Sequence, residues 1–573
     1  MHSACGRYVV TYNGEIYNFR SLRQELEALG QKFRGHSDTE VLLAAVSQWG
    51  LKKAVDRFNG MFAFGLWDRE AQTLHLGRDR IGEKPLYYGW LGTTFLFASE
   101  LKAVLAHPAC KKEIDRNALA LYLRHNCVPA PYSIYKGIWK LPPGTVLTIH
   151  ARKAETAAML VVYWSARDMA EQGLGEVFSG SEEDASLQLE SLLCDAVKLR
   201  MVADVPLGAF LSGGIDSSTV VALMQAQSER PVKTFTIGFH EGVYDEARHA
   251  AAVAKHLGTD HTELYVTPSQ AQAVIPRLPS LYDEPFADSS QIPTFLVSQL
   301  ARRHVTVALS GDGGDELFAG YNRYFWAQNI WRGMGWVPRP VRIGAGAALT
   351  SVSADTWNRG LRAVQGVLPR ALRVQHPGEK LYKLAEVLSA EDDGALYWDL
   401  VSHWKAPALV VSGAAEPTTI LTDRSRWVRG ASFPQQMMFL DTVTYLPDDI
   451  LVKLDRASMG VSLEARLPLL DHRVVEFAWR LPLSMKIRGK HSKWLLRQVL
   501  NKYVPLKLVD RPKMGFGVPI DSCCAGRFAT GRRICWMRDA LKRRGSSRPS
   551  RSGKNGRSTS LAGTTGSIIY GMS

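Results

Sequence analysis

No stretch of the 573 residues is apolar for long enough to cross a bilayer, and the opening Met1-His2-Ser3-Ala4-Cys5 is not a charged segment followed by an apolar one. Membrane insertion and secretion are therefore not expected, and a cytoplasmic location is. Cysteine is scarce too: of seven, three fall after Ser522 and the others stand apart as Cys5, Cys110, Cys127 and Cys194, in neither disulfide nor zinc spacing. A Gly-x-x-x-x-Gly-Lys-Ser/Thr run is missing, which excludes a Walker-type nucleotide site. No internal repeat is evident, which excludes a solenoid. His249, His256 and His261 form the one histidine group that invites a metal reading, and their spacing fits exposed helix and turn positions better. What remains is a globular chain of two domains with an appendage.

The most informative run is Phe210-Leu211-Ser212-Gly213-Gly214-Ile215-Asp216-Ser217-Ser218. Val202 to Leu211 is largely apolar and reads as a strand, and Ser217 to Gln225 has helical spacing, so the glycines fall at the turn. Residues without side chains let backbone N–H groups close round an anion, and the positive end of the helix dipole adds to the attraction. Ser212, Ser217 and Ser218 can donate to phosphate oxygens, and Asp216 stands where a carboxylate could hold the accompanying Mg2+. The pattern points to ATP cut between its α- and β-phosphates, against the alternative of a Gly-rich turn with a Ser/Asp cap.

These residues resemble the glutamine-hydrolysing asparagine synthetases, and so do several later motifs in the same order. They are VKTFTIGF from Val232 to Phe239 followed by Tyr244-Asp245-Glu246, then Tyr282 to Asp288, Ser310-Gly311-Asp312-Gly313-Gly314-Asp315-Glu316, Lys453 to Met459, Leu463 to Asp471, and Arg511 to Pro519. The resemblance implies an α/β chain. Its first part would be a layered, β-rich glutaminase domain of the N-terminal nucleophile type, truncated, at 1–162. A linker at 163–184 would lead to a synthetase domain of the PP-loop ATPase type at 185–522, with a parallel sheet and helices. It implies Asp216 and Asp315 as Mg2+ ligands, and Leu211, Ser212, Gly213, Gly214, Asp216, Ser217, Ser218, Ile237, Ser310 and Gly311 as contacts to ATP. Asp312 would be an acid needed to form the β-aspartyl-adenylate, and Lys513 would neutralise the phosphate transition state. Without the resemblance Asp312 reads as a turn cap and Lys513 as a surface lysine.

Residues 1 to about 150 alternate strand-like runs, such as Tyr8 to Tyr12 and Phe62 to Trp67, with polar turns. By the same resemblance Asn13 and Gly14 would form an oxyanion hole, with Glu15 beside them and Asp38 holding the α-amino group of glutamine. Taken alone, Asn13-Gly14 reads as a type I′ hairpin turn. The glutaminase class works through a cysteine whose own free amine assists. Cys5 reads instead as a small residue of a strand, so no glutamine hydrolysis is expected and ammonia becomes the expected nitrogen source.

After Ser522 the apolar periodicity stops, and the tail 523–573 holds eleven Lys/Arg and one acid, so without it the net charge falls from +15 to +5. Restoring one base at the codon of Cys523 yields a frame resembling the family's helical C-terminus, and an out-of-frame tail is the expectation. The competing reading is a disordered basic arm that binds nucleic acid. The expected partners are aspartate, ATP, and glutamine or ammonia, with neither membrane nor nucleic acid, and a homodimer is left open. Two alternatives stand beside an asparagine synthetase: a paralogue that amidates another carboxylate, and an inactive product of a damaged gene.

Overall fold

The computed structural model describes residues 1–150, 158–239, 246–364 and 377–511. The first domain carries eight strands: β1 (Tyr8–Ile16), β2 (Gly60–Asp68), β3 (Thr73–Arg78), β4 (Tyr87–Leu91), β5 (Thr94–Ala98), β6 (Ile138–Lys140), β7 (Thr145–His150) and β8 (Met159–Val162). An antiparallel sheet runs β1-β2-β3-β7-β8, and a smaller one runs β5-β4-β6. One face of the large sheet is covered by helices Phe19–Ala28, Asp38–Trp49 and Leu51–Arg57 through Ile16, Leu22, Leu42, Phe58, Phe62 and Phe64. The small sheet covers the other face through Leu76, Leu86, Leu147 and Phe97. Alternation along β2 sends side chains to both sides, which is why nearly all of it is buried.

The second domain is built on five parallel strands: β9 (Leu207–Phe210), β10 (Lys233–Phe239), β11 (Asp260–Val266), β12 (Val307–Leu309) and β13 (Glu464–Arg466). Their order is β11-β10-β9-β12-β13. The chain leaves β9 toward one edge, then returns to β9's other side for β12. In an open α/β sheet such a reversal opens a crevice at the carboxyl ends of the two strands, so Phe210 and Leu309 mark where a ligand can sit. Helices cover both faces. One layer uses Leu193, Val197, Val220 and Leu223, and the other Phe235, Ile237, Phe295 and Val297.

The segment 163–184, expected to link the domains, carries helix Ala166–Gly175. Gly173 lies so close to Trp479 that a Cβ would come within 2.8 Å of its backbone. Helix Glu182–Arg200 then starts on a reciprocal cap, with Ser181 and Asp184 each satisfying the other's backbone N–H, three acids in its first turn and Lys198 and Arg200 in its last. Among the described residues no helix is long and apolar enough to cross a membrane. The expected strand Val202 to Leu211 is shorter, and Pro206 supplies its carbonyl to Thr306 before β9 begins.

Candidate active site

The chain turns through Leu211–Gly214 between β9 and helix Ile215–Ala226. Gly213 takes φ +73°, and a Cβ there would lie 2.7 and 2.8 Å from the backbone of His249 and Ala250, so both its conformation and its surroundings require glycine. The Ser212 N–H donates to Ser217 Oγ at 3.2 Å, the two hydroxyls are 2.9 Å apart, and the Gly214 N–H donates to Ser212 Oγ at 3.3 Å. The loop thus curls at the amino end of a helix, where partial positive charge collects. Leu211 and Ser218 are buried beneath it. Ile237 is also buried, in the same core cluster as Phe235 and Phe295.

A second loop follows β12. Ser310 donates its N–H to the Arg466 carbonyl at 2.9 Å and its hydroxyl to Asp312 Oδ2 at 2.6 Å. A Cβ on Gly311 would lie 2.6 Å from Ser217 N, and one on Gly314 would lie 2.6 Å from Asp216 Oδ1, so the two loops touch only because both positions are bare. The contact brings Asp216 and Asp315 onto one cation, Lys493, whose ammonium pairs with both carboxylates, at 2.6 Å from Asp315. Gly320 completes the cradle, since a Cβ there would fall 2.0 Å from Asp315 Oδ1 and 2.1 Å from Lys493 Cε. Burial opposes the charge on Lys493, but the two aspartates outweigh it and hold the amine protonated well above the usual lysine range.

Neighbouring charges tune this junction. Glu316 is pushed up to about 7, first by burial and then by Asp315, and it accepts a hydrogen bond from the Tyr321 hydroxyl at 2.6 Å. Lys453 pairs with Asp288 at 2.8 Å, and Asp288 also accepts from the Ser290 N–H and hydroxyl, both at 2.7 Å. Burial disfavours the Lys453 ammonium while Asp288, Asp449 and Asp312 together raise it, which places this lysine in the field of the acid at 312. Lys493, Glu316 and Lys453 had no role in the sequence reading. The motifs that contain Glu316 and Lys453 gave a signal, whereas Lys493 gave none, because it lies 277 residues from Asp216.

In the first domain Asn13 and Gly14 do not form a hairpin turn. They lie inside β1, paired with Ala63 and Phe62 of β2. Gly14 takes φ +144°, and a Cβ would clash with the Met61 carbonyl at 2.0 Å. Asn13 donates its side-chain N–H to Ser99 Oγ at 3.0 Å. Asp38 opens helix Asp38–Trp49 and accepts from the Tyr12 hydroxyl at 2.8 Å and the Ile16 N–H at 2.9 Å, which draws it beside Glu15. Glu15 is pushed up to about 7 by burial and by Asp38, against the pull of Arg466, which reaches it at 3.5 Å from β13. Cys5 lies elsewhere: its thiol is 4.0 Å from Ser47 Oγ. Ser47 is nine residues along the helix from Asp38, about 13 Å at 1.5 Å per residue.

His249 and His256 lie on helix Ala247–Leu257. His261 is not in a turn: it sits in β11, and its ring shares a hydrogen bond of 2.8 Å with Thr234 Oγ1. Among the described residues no group of three or more His, Cys, Asp or Glu is arranged to hold a metal ion. Lys513, Tyr244, Asp245 and the basic tail lie outside the described residues.

A glycine-rich loop at the switch point of a parallel sheet, joined to layered antiparallel sheets, defines an amidotransferase-type domain coupled to a PP-loop synthetase domain. Comparison with known proteins agrees. The asparagine synthase family model matches residues 188–548, and that of the glutamine amidotransferase domain matches residues 1–164. Among curated relatives, asparagine synthetase [glutamine-hydrolyzing] 1 of Bacillus subtilis is 33% identical over 522 residues, covering 90% of this chain and 76% of that protein. A putative asparagine synthetase [glutamine-hydrolyzing] of Mycobacterium bovis is 34% identical over 518 residues, covering 90% and 75%. Amidase chyE of Penicillium rubens is 25% identical, covering 88% and 76%. The chain belongs to the asparagine synthase family of carbon–nitrogen ligases.

Proposed function

We propose that this polypeptide converts aspartate to asparagine with ATP, through a β-aspartyl-adenylate, and takes its nitrogen as ammonia. A carboxylate is a poor electrophile. A β-carboxylate oxygen first attacks the α-phosphorus, the bond to the β-phosphate breaks and pyrophosphate leaves. Ammonia then attacks the acyl carbon, the bond from that carbon to the AMP oxygen breaks, and the proton shed by nitrogen goes to a nearby base. Both steps gather negative charge in a confined site, so catalysis is chiefly positioning and cationic stabilisation.

The observation that carries this reading is the convergence of Asp216 and Asp315 on one cation at the mouths of β9 and β12. Oxygen ligands brought together in a glycine-lined cradle suit Mg2+, which would be held by these two residues and would neutralise the pyrophosphate. In this reading the loop 211–218 grips the β- and γ-phosphates, Ser310 and Gly311 meet the nucleotide, Asp312 acts in adenylate formation, and Lys493 and Lys513 supply cationic charge. Ammonia as the source is supported by Cys5, whose thiol lies near Ser47, toward the end of helix Asp38–Trp49 opposite Asp38.

Pyrophosphate release dependent on aspartate and ammonium, assayed beside a panel of other carboxylates, tests the reaction and its acceptor. Asp216→Ala and Asp315→Ala should each lower the rate by at least about 100-fold. A parental rate in either removes these ligand roles. Glutamine in place of ammonium should give no product above background, and Cys5→Ala should change nothing. Glutamate formed from glutamine and lost in Cys5→Ala would refute the nitrogen assignment.

A further inference from the structure

The guanidinium of Arg511 reaches the pyrophosphate loop from a distant part of the chain. Its Nη2 donates to the Ser212 carbonyl at 3.0 Å and pairs with Glu246 Oε1 at 3.3 Å. Glu246 immediately precedes helix Ala247–Leu257, the first turn of which is the surface against which Gly213 packs. One nitrogen therefore ties the loop to the element that shapes it. Nη1 of the same side chain is buried and has no hydrogen-bond partner among the described residues. A buried guanidinium N–H without an acceptor carries a desolvation penalty, and this one lies beside a loop whose form suits an anion.

The backbone that presents Arg511 is anchored to the other half of the site. Asp510 accepts from Arg497 at 3.0 Å, and the Arg497 N–H donates to the Lys493 carbonyl at 2.9 Å. The turn bearing the ammonium between Asp216 and Asp315 and the turn bearing Arg511 are thus linked through Arg497.

We propose that Arg511 is a ligand for the pyrophosphate part of ATP, holding the Ser212 carbonyl with Nη2 and offering Nη1 to an oxygen of the β- or γ-phosphate. This rests on the proposed ATP-dependent activation and adds a donor to it. AMP, which lacks both outer phosphates, has nothing for this donor to hold.

Calorimetric titration of the full chain with ATP, inorganic pyrophosphate and AMP, each with magnesium, tests the assignment in the parent, Arg511→Ala and Arg511→Lys. Loss of one charged hydrogen bond should weaken ATP and pyrophosphate by about 10- to 100-fold in Arg511→Ala. AMP affinity should stay within about twofold of the parent. Arg511→Lys keeps the charge but loses the fork that serves two partners, so it should fall between, and it decides the matter if the alanine variant does not fold. Unchanged pyrophosphate affinity overturns the assignment, as does an equal loss for AMP, which would show that Arg511 only props the loop. A parent that binds none of the three removes the proposed function and this assignment together, whereas parental binding with unaltered variants removes this assignment alone.

Discussion

Lys493 shows how one side chain can hold two carboxylates together. It takes a left-handed backbone conformation, φ +54°, at the amino end of helix Trp494–Asn501, and its N–H donates to the Phe318 carbonyl at 3.0 Å. That backbone turn aims the ammonium between two carboxylates that would otherwise repel each other. Removing one partner of a buried ionic group leaves uncompensated charge, typically at a cost of about 3–5 kcal/mol. Lys493→Met should therefore lower the melting temperature and reduce pyrophosphate release by about 100-fold or more, with stability partly restored by millimolar magnesium. A variant as stable and active as the parent would show that the lysine is a bystander.

Among the elements, the contact between the two loops after β9 and β12 is the most exacting. Gly311 sits against the first turn of helix Ile215–Ala226, and any side chain would have to displace Ser217 N from 2.6 Å. The neighbour is helix backbone, which cannot swing aside as a flexible side chain can. Gly311→Ala should separate the loops, pull Asp315 from Asp216 and abolish ATP binding, while costing about 1–3 kcal/mol of stability. ATP titration and thermal unfolding of this variant check both parts. Gly344 is a matched control, because it lies in a helix with nothing within 4 Å of its would-be Cβ, and Gly344→Ala should be neutral or slightly stabilising.

At the scale of the molecule, the two domains meet through buried charge. Lys84 pairs with Asp455 at 3.1 Å, Lys140 with Glu284 at 2.5 Å, and Asn59 donates across to Asp471 Oδ2 at 2.8 Å, an oxygen that also accepts from Arg200 of the second domain at 3.0 Å. Glu83 lies in this seam, pushed up to about 8 by burial and by Asp79, with Arg200 and Lys84 pulling the other way. An exposed glutamate titrates near 4.5, so the folded chain holds an extra proton between pH 4.5 and about 8. Stability from this group is full below that window and is lost as pH rises through it. Glu83→Gln should flatten that decline and stabilise the protein by about 1–3 kcal/mol at pH 8 relative to pH 5, read from denaturant midpoints. An unchanged pH slope would show that Glu83 stays ionised in the fold.

The turn at 211–214 and the glycine-rich turn after β12 were legible because consecutive residues set backbone conformation locally. Segments governed by pairing were not. Asn13-Gly14 carries the sequence of a tight turn, yet nine residues of β1 in register with β2 hold it extended, because sheet hydrogen bonds outweigh a two-residue preference. His261 reads as an exposed turn residue until β10 and β11 pair and bring Thr234 to its ring. By itself the sequence determined the parallel-sheet and β-layer classes, the glycine-rich turn after β9 and the family. Tertiary structure alone decided that Lys493 and Arg511 meet the loop after β9 and that Arg466 meets the loop after β12, its backbone carbonyl accepting from the Ser310 N–H. Each lies more than 150 positions from its partner at the loop, and no local pattern encodes a contact that exists only once the sheet has closed the distance.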